Sequence, residues 1–204
     1  MSRKDHWESV YKDKSPLEVS WYQKEPTLSL ALIRKYALDN SEFIIDVGGG
    51  ASTLADYLLK DGFKNVTVLD LSSNALEQAK QRLGNKSALI EWEVEDVTNF
   101  IPTHQYGLWH DRAVFHFLTD ESDREKYKHT LETSIKVGSY VIIAAFSIGG
   151  PTKCSGLNIV QYDLEKLKEE LGKNFVFIEE QFEIHITPKG KEQEFGYYVF
   201  NKIA

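Results

Sequence analysis

Two aspartates in this chain each stand at the end of an apolar run, where side chains from different strands can converge. Phe43-Ile44-Ile45-Asp46-Val47 leads into Gly48-Gly49-Gly50, and Val66-Thr67-Val68-Leu69 ends in Asp70. Glycines in such a turn let the backbone approach a ligand closely, and an acid at the second strand's tip can accept from ribose hydroxyls. The third glycine of a dinucleotide fingerprint falls at Ser52, and no Lys-Ser/Thr pair follows as in a phosphate loop. Further along, His110-Asp111-Arg112 forms a candidate catalytic trio. A histidine titrates near neutrality and suits general-base work. The plainer reading has Asp111 capping the next helix, Arg112 in an ion pair and His110 shaping a pocket. Cys154 offers a thiol, but one cysteine makes no metal site, so no metal is expected.

The elements that must position these residues alternate. A short helix over residues 5–13 carries Trp7, Val10 and Tyr11 on one face, and Lys14-Ser15-Pro16 ends it. A helix from Pro26 carries Leu28, Leu32, Ile33 and Tyr36. Helices over 52–60 and from Ser72 or Ser73 to Leu83 separate the first three strands, the third reading as Ala88 to Glu93. A short fourth strand spans Tyr106 to Trp109, a helix covers 121–135, and Tyr140 to Phe146 is apolar enough to be covered on both faces. Residues 147–162 read as a long loop, followed by a helix over 163–171. The chain closes with strands Phe175–Thr187 and Gln193–Phe200, whose short join requires an antiparallel hairpin. The pattern predicts an α/β fold: one doubly wound domain over residues 1–204, helices on both faces of a mostly parallel sheet.

Composition narrows the function. The chain has 204 residues, is 42% hydrophobic, and carries a formal charge of −7 from 31 acids and 24 bases. That balance argues against nonspecific nucleic-acid binding, which needs a surplus of cations against phosphate. Residues 1–8 lack an apolar signal core, no window approaches a membrane span, and a single cysteine suits a reducing compartment. The expectation is a cytoplasmic protein with no nucleic-acid or membrane partner, a monomer or weak homodimer.

On these residues the chain resembles the class I S-adenosylmethionine-dependent methyltransferases. The resemblance rests on Asp46-Val47-Gly48-Gly49-Gly50, Asp70, Glu95-Asp96-Val97 and the closing hairpin, and it covers nearly the whole chain. It implies a seven-stranded Rossmann-like sheet of order 3-2-1-4-5-7-6, with one hairpin strand inserted antiparallel. It implies S-adenosylmethionine as cofactor and S-adenosylhomocysteine as product. Carried over position by position, Gly48, Gly49 and Gly50 form the turn under the methionine and ribose portion. Asp46 orders that turn and reaches the amino group, Asp70 takes the ribose, and Leu71 packs on the adenine. Asp96 accepts from the adenine amino group, the Val97 amide donates to a ring nitrogen, and His110 sits near the transferred methyl. Residues 1–25, with Trp21 and Tyr22, are expected to lie over the cofactor as a lid. Two departures stand out: Ser52 at a usual glycine, and Gly107 where many relatives open the fourth strand with an acid.

The finer pattern, Asp5-His6-Trp7 with Val19–Gln23 and Trp109–Ala113, resembles small bacterial methyltransferases near the thiopurine, tellurite and protein-lysine types. The expected function is methyl transfer to a small-molecule acceptor, since the chain carries little beyond the core fold. The alternative is a protein-lysine N-methyltransferase, with Asp111 and Trp21 supplying a cage. A nicotinamide oxidoreductase lacks its third glycine here, and a non-catalytic cofactor binder is separated only by assaying turnover.

Overall fold

The computed structural model describes residues 2–204. Five parallel strands form its centre: β1 (Phe43–Val47), β2 (Asn65–Asp70), β3 (Ile90–Val94), β4 (Tyr106–Arg112) and β5 (Ile135–Phe146). The terminal hairpin, β6 (Phe175–Ile186) and β7 (Glu192–Lys202), adds two more, with β7 antiparallel between β5 and β6. The seven strands are therefore ordered β3-β2-β1-β4-β5-β7-β6. The order anticipated from the resemblance is the one observed.

Strand periodicity builds two cores. Ile44, Val66, Val68, Leu108 and Ile142 face one side, under helices α2 (Thr27–Tyr36), α3 (Leu54–Lys60) and α4 (Ser73–Leu83). Their neighbours Ile45, Leu69, Trp109, Val141 and Ile143 face the other, under α5 (Glu121–Ser134) and α6 (Leu164–Leu171). Successive side chains point to opposite faces, so strands buried on both sides read as continuous apolar runs.

Several boundaries differ from the sequence reading. β4 runs on to Arg112 rather than stopping at Trp109, because His110 and Asp111 find buried hydrogen-bond partners and need no solvent. β5 begins at Ile135, directly after α5, and β3 begins at Ile90 after a 3₁₀ segment over Gly84–Leu89. The 147–162 loop carries a two-residue hairpin, Lys153–Cys154 against Leu157–Asn158. Glycine at 107 has a local reason: a Cβ there would collide with the Glu42 carboxyl, which lies over that position and pairs with Lys136 at 3.6 Å. Among the described residues, no helix is long and apolar enough to cross a membrane.

The N-terminal helix α1 (Arg3–Asp13) lies across the carboxyl ends of the central strands. Glu8 fastens it there. Its carboxylate accepts from the Ser73 amide at 2.9 Å, the Asn74 amide at 3.0 Å and the Ser72 hydroxyl at 2.8 Å. The Ser73 and Asn74 amides are free donors of the first turn of α4, where a negative charge is most favourable.

Candidate active site

The strand tips frame two adjoining cavities. The larger is bounded by Asp70 and Leu71 after β2, Asp96 and Val97 after β3, and Trp7 and Trp21 from the N-terminal segment. The smaller reaches from Gly49 and Asp46 to Ser29, Tyr22, Gln23 and His110. Gly48, Tyr11, Trp21 and Arg112 line both.

The glycine turn has little spare room. Gly48 sits at φ +67, a left-handed conformation, with its amide donating to the Leu69 carbonyl at 2.7 Å. A side chain there would strike Val114. Gly50 also has positive φ, +41, and a Cβ on it would lie 2.6 Å from Asp70 Oδ2. Non-glycine residues are strained in this region, so the turn depends on glycine for backbone shape as well as for space.

Asp70 is 8% exposed and its Oδ1 accepts the Ser72 amide at 2.8 Å. Burial pushes its carboxyl up to about 7, with Asp46 and Glu8 adding to the rise while the Ser72 amide opposes it. Asp96 is more fully engaged. Its Oδ1 accepts the Thr98 amide at 3.0 Å and the Thr98 hydroxyl at 2.8 Å, and its Oδ2 meets Arg3 Nη2 at 3.1 Å. Arg3 also reaches Asp123 at 3.1 Å.

Above these acids the wall is aromatic. Trp7 stands edge-on to Trp21, ring centroids 5.5 Å apart, and to Phe117 at 5.1 Å. Trp21 Nε1 donates to the Tyr11 hydroxyl at 3.1 Å, which anchors the loop after α1 to the helix. Arg3, Trp7 and Tyr11 recur every four residues, so one face of α1 lines the larger cavity. That spacing is legible in the sequence for Trp7 and Tyr11, whereas nothing in the sequence marks Arg3 or Glu8.

The trio His110-Asp111-Arg112 does not act from one place. Consecutive strand residues alternate faces, and the three divide accordingly. His110 is 2% exposed; its Nδ1 lies 2.7 Å from Asp46 Oδ1 and its Nε2 2.9 Å from Ser29 Oγ. Both ring nitrogens are thus occupied. Ser29, a small polar residue on the buried face of α2, gave no signal in the sequence. Asp111 points to the opposite core. It accepts from the Tyr127 hydroxyl at 2.7 Å and the Val114 amide at 2.9 Å. Burial raises its carboxyl to about 6 despite these donors. Asp111 lines neither cavity, so the expected cage of Asp111 with Trp21 does not form. Arg112 returns to the His110 face, where Nε donates to the Tyr197 hydroxyl at 2.9 Å and Nη1 to the Trp21 carbonyl at 3.2 Å.

These residues suit a purine nucleoside carrying an amino-acid arm. Two acids stand on neighbouring strands, Leu71 and Val97 offer apolar surface between them, and a third acid, Asp46, lies under the glycine turn. That set of acids and apolar surfaces fits S-adenosylmethionine.

Comparison with known proteins agrees. Residues 44–138 match a family model described as a methyltransferase domain. A malonyl-[acyl-carrier protein] O-methyltransferase of Ilyobacter polytropus is 35% identical over 80 residues, 38% of this chain. That match spans 29% of the relative's length. Human EEF1A lysine methyltransferase 2 is 23% identical over 88% of this chain and 77% of its own. A S-adenosylmethionine-dependent methyltransferase from Anabaena variabilis superposes with a TM-score of 0.76, at 14% identity, over 99% of this chain and 96% of the other. The N-methyltransferase NodS from Bradyrhizobium japonicum, solved with S-adenosylhomocysteine, gives 0.73 at 14% identity over 98% and 97%. Such structural likenesses at low identity show a common fold. With the family match over residues 44–138 and the inserted antiparallel strand, the chain carries a methyltransferase domain in the fold of the class I S-adenosylmethionine-dependent methyltransferases.

Proposed function

We propose that the protein transfers a methyl group from S-adenosylmethionine to a small-molecule acceptor. The observation that carries this reading is the convergence of Asp70, Asp96 and the glycine turn on one cavity roofed by Trp7 and Trp21. S-adenosylmethionine supplies an electrophilic methyl on a sulfonium centre. The remaining work falls to the protein. Asp70 holds the ribose hydroxyls and Asp96 the adenine amino group, with Leu71 and Val97 packing on the base. Asp46, oriented by His110, serves the amino group. Trp21 and α1 exclude water and align the acceptor, and alignment is the main requirement for displacement at carbon. With both nitrogens of His110 engaged, its role here is to position Asp46 rather than to remove a proton.

The second reading is a protein-lysine acceptor. Its support is likeness to proteins named as eEF1A lysine methyltransferases, from human and from Xenopus laevis, at 23% and 24% identity over most of this chain. Against it, Asp111 is turned away from Trp21 and lines neither cavity.

Titration calorimetry with S-adenosylhomocysteine, S-adenosylmethionine and NADH tests the core of the proposal. Binding of the two sulfur nucleotides without NADH is expected; binding of NADH alone overturns it. Product formation from radiolabelled S-adenosylmethionine, assayed against small thiols and amines and then against lysine-containing protein, decides between the two acceptors.

A further inference from the structure

Arg112 is the cation shared by the two cavities, and its side chain is 10% exposed. Two of its nitrogens make hydrogen bonds: Nε to the Tyr197 hydroxyl and Nη1 to the Trp21 carbonyl. The third, Nη2, is buried and has no hydrogen-bond partner among the described residues. Glu183 Oε2 forms an ion pair with Nη2 at 3.6 Å, beyond hydrogen-bond distance, and its carboxylate accepts from Gln23 at 3.0 Å and the Tyr197 hydroxyl at 3.1 Å. A buried guanidinium donor without an acceptor is costly unless something completes it.

The place of this group in the fold narrows what completes it. The guanidinium stacks on Phe195 of β7, 4.4 Å from the ring centroid, and bonds to Tyr197 of the same strand. Gly48, Asp70 and Asp96 stand at the tips of β1, β2 and β3, the other half of the sheet. Arg112 therefore projects from β4 toward the half that the nucleoside-binding acids leave open. The surroundings there, Trp21, Phe117 and Cys154, are apolar.

We propose that Arg112 Nη2 receives an anionic oxygen of the methyl acceptor, so that the substrate is a small apolar molecule bearing a carboxylate or similar anion. This rests on the methyltransferase reading above and deepens it. A guanidinium presents paired N–H donors in a plane that matches a carboxylate.

Benzoate and benzamide are suitable probes, being alike in shape and different in charge. With the full chain saturated in S-adenosylhomocysteine, the wild type is expected to bind benzoate roughly tenfold or more tightly than benzamide in ligand-observed NMR titration. Arg112→Gln is expected to abolish that preference, and Arg112→Lys to retain part of it. Equal binding of the two probes by wild type overturns the proposal, whether or not the variants fold. So does a fall in affinity for S-adenosylhomocysteine in Arg112→Gln with unchanged affinity for 5′-methylthioadenosine, since the carboxylate served is then the cofactor's own. Failure of wild type to bind S-adenosylhomocysteine strikes the methyltransferase reading and removes this inference with it.

Discussion

His110 and Asp46 face each other across neighbouring strands, Nδ1 to Oδ1 at 2.7 Å, in register on β4 and β1. The pair is buried, and Ser29 closes it from α2 at 2.9 Å. Its position beneath the glycine turn makes it a support for the turn. His110→Ala leaves a buried carboxylate without its donor, a loss of about 1–3 kcal/mol in unfolding free energy. Chemical denaturation checks this. A pH–rate profile adds the functional test: turnover falls in the variant with no loss of an ionisation from the profile, whereas a general base would take its limb with it.

Asp70 combines two opposed effects. Folding raises its carboxyl from 3.8 to about 7, so the native apo-protein holds a proton that the unfolded chain releases. The stability this group contributes is whole below 3.8 and is lost as pH rises through 7. Asp70→Asn removes that loss. At pH 8 the variant is expected to melt above wild type while binding S-adenosylhomocysteine more weakly, by about 1.5 kcal/mol or more. Differential scanning fluorimetry and calorimetry on the same samples read both signs.

The same carboxyl makes cofactor affinity depend on pH. In the proposed complex ribose hydroxyls donate to its charged form, which would hold Asp70 below its free-protein value of about 7. Affinity for S-adenosylhomocysteine is expected to climb as pH rises toward 7 and to level off above it, with a slope of up to about tenfold per unit. Calorimetry from pH 5.5 to 8.5 follows this, at roughly constant ionic strength. A flat profile removes Asp70 from the ribose.

Arg3 ties α1 to Asp96 and Asp123, both at 3.1 Å. It therefore shares Asp96 with the adenine amino group proposed there. Arg3→Ala is expected to quicken association of S-adenosylhomocysteine, because one clasp on the covering helix is gone while Glu8 still holds it. Stopped-flow fluorescence of Trp7 and Trp21 reports the rate. Slower association would show Arg3 recruiting the ligand instead.

Cys154 lines the larger cavity yet is 5% exposed, and burial pushes its thiol up to about 11. At pH 8 it is almost wholly the unreactive thiol. Iodoacetamide is expected to modify it far more slowly than it modifies glutathione, and Cys154→Ser is expected to retain cofactor affinity. Rapid alkylation read by mass spectrometry would contradict this.

Local sequence determined a good deal of this protein. The Gly48-Gly49-Gly50 turn declares itself because few other residues tolerate its φ angles, and Asp46 and Asp70 because they end apolar runs. The antiparallel hairpin follows from a join too short for any other connection. What tertiary structure decided is which neighbours share a site. His110, Asp111 and Arg112 are adjacent in sequence and divided in space, since β4 continues through them and alternation sends Asp111 to the α5 side. Arg3, Glu8 and Ser29 join the site from helices whose docking depends on contacts some 60 to 90 residues distant, such as Glu8 with Ser72 and Arg3 with Asp96. Helical periodicity sets which face a residue occupies; only packing sets what that face meets.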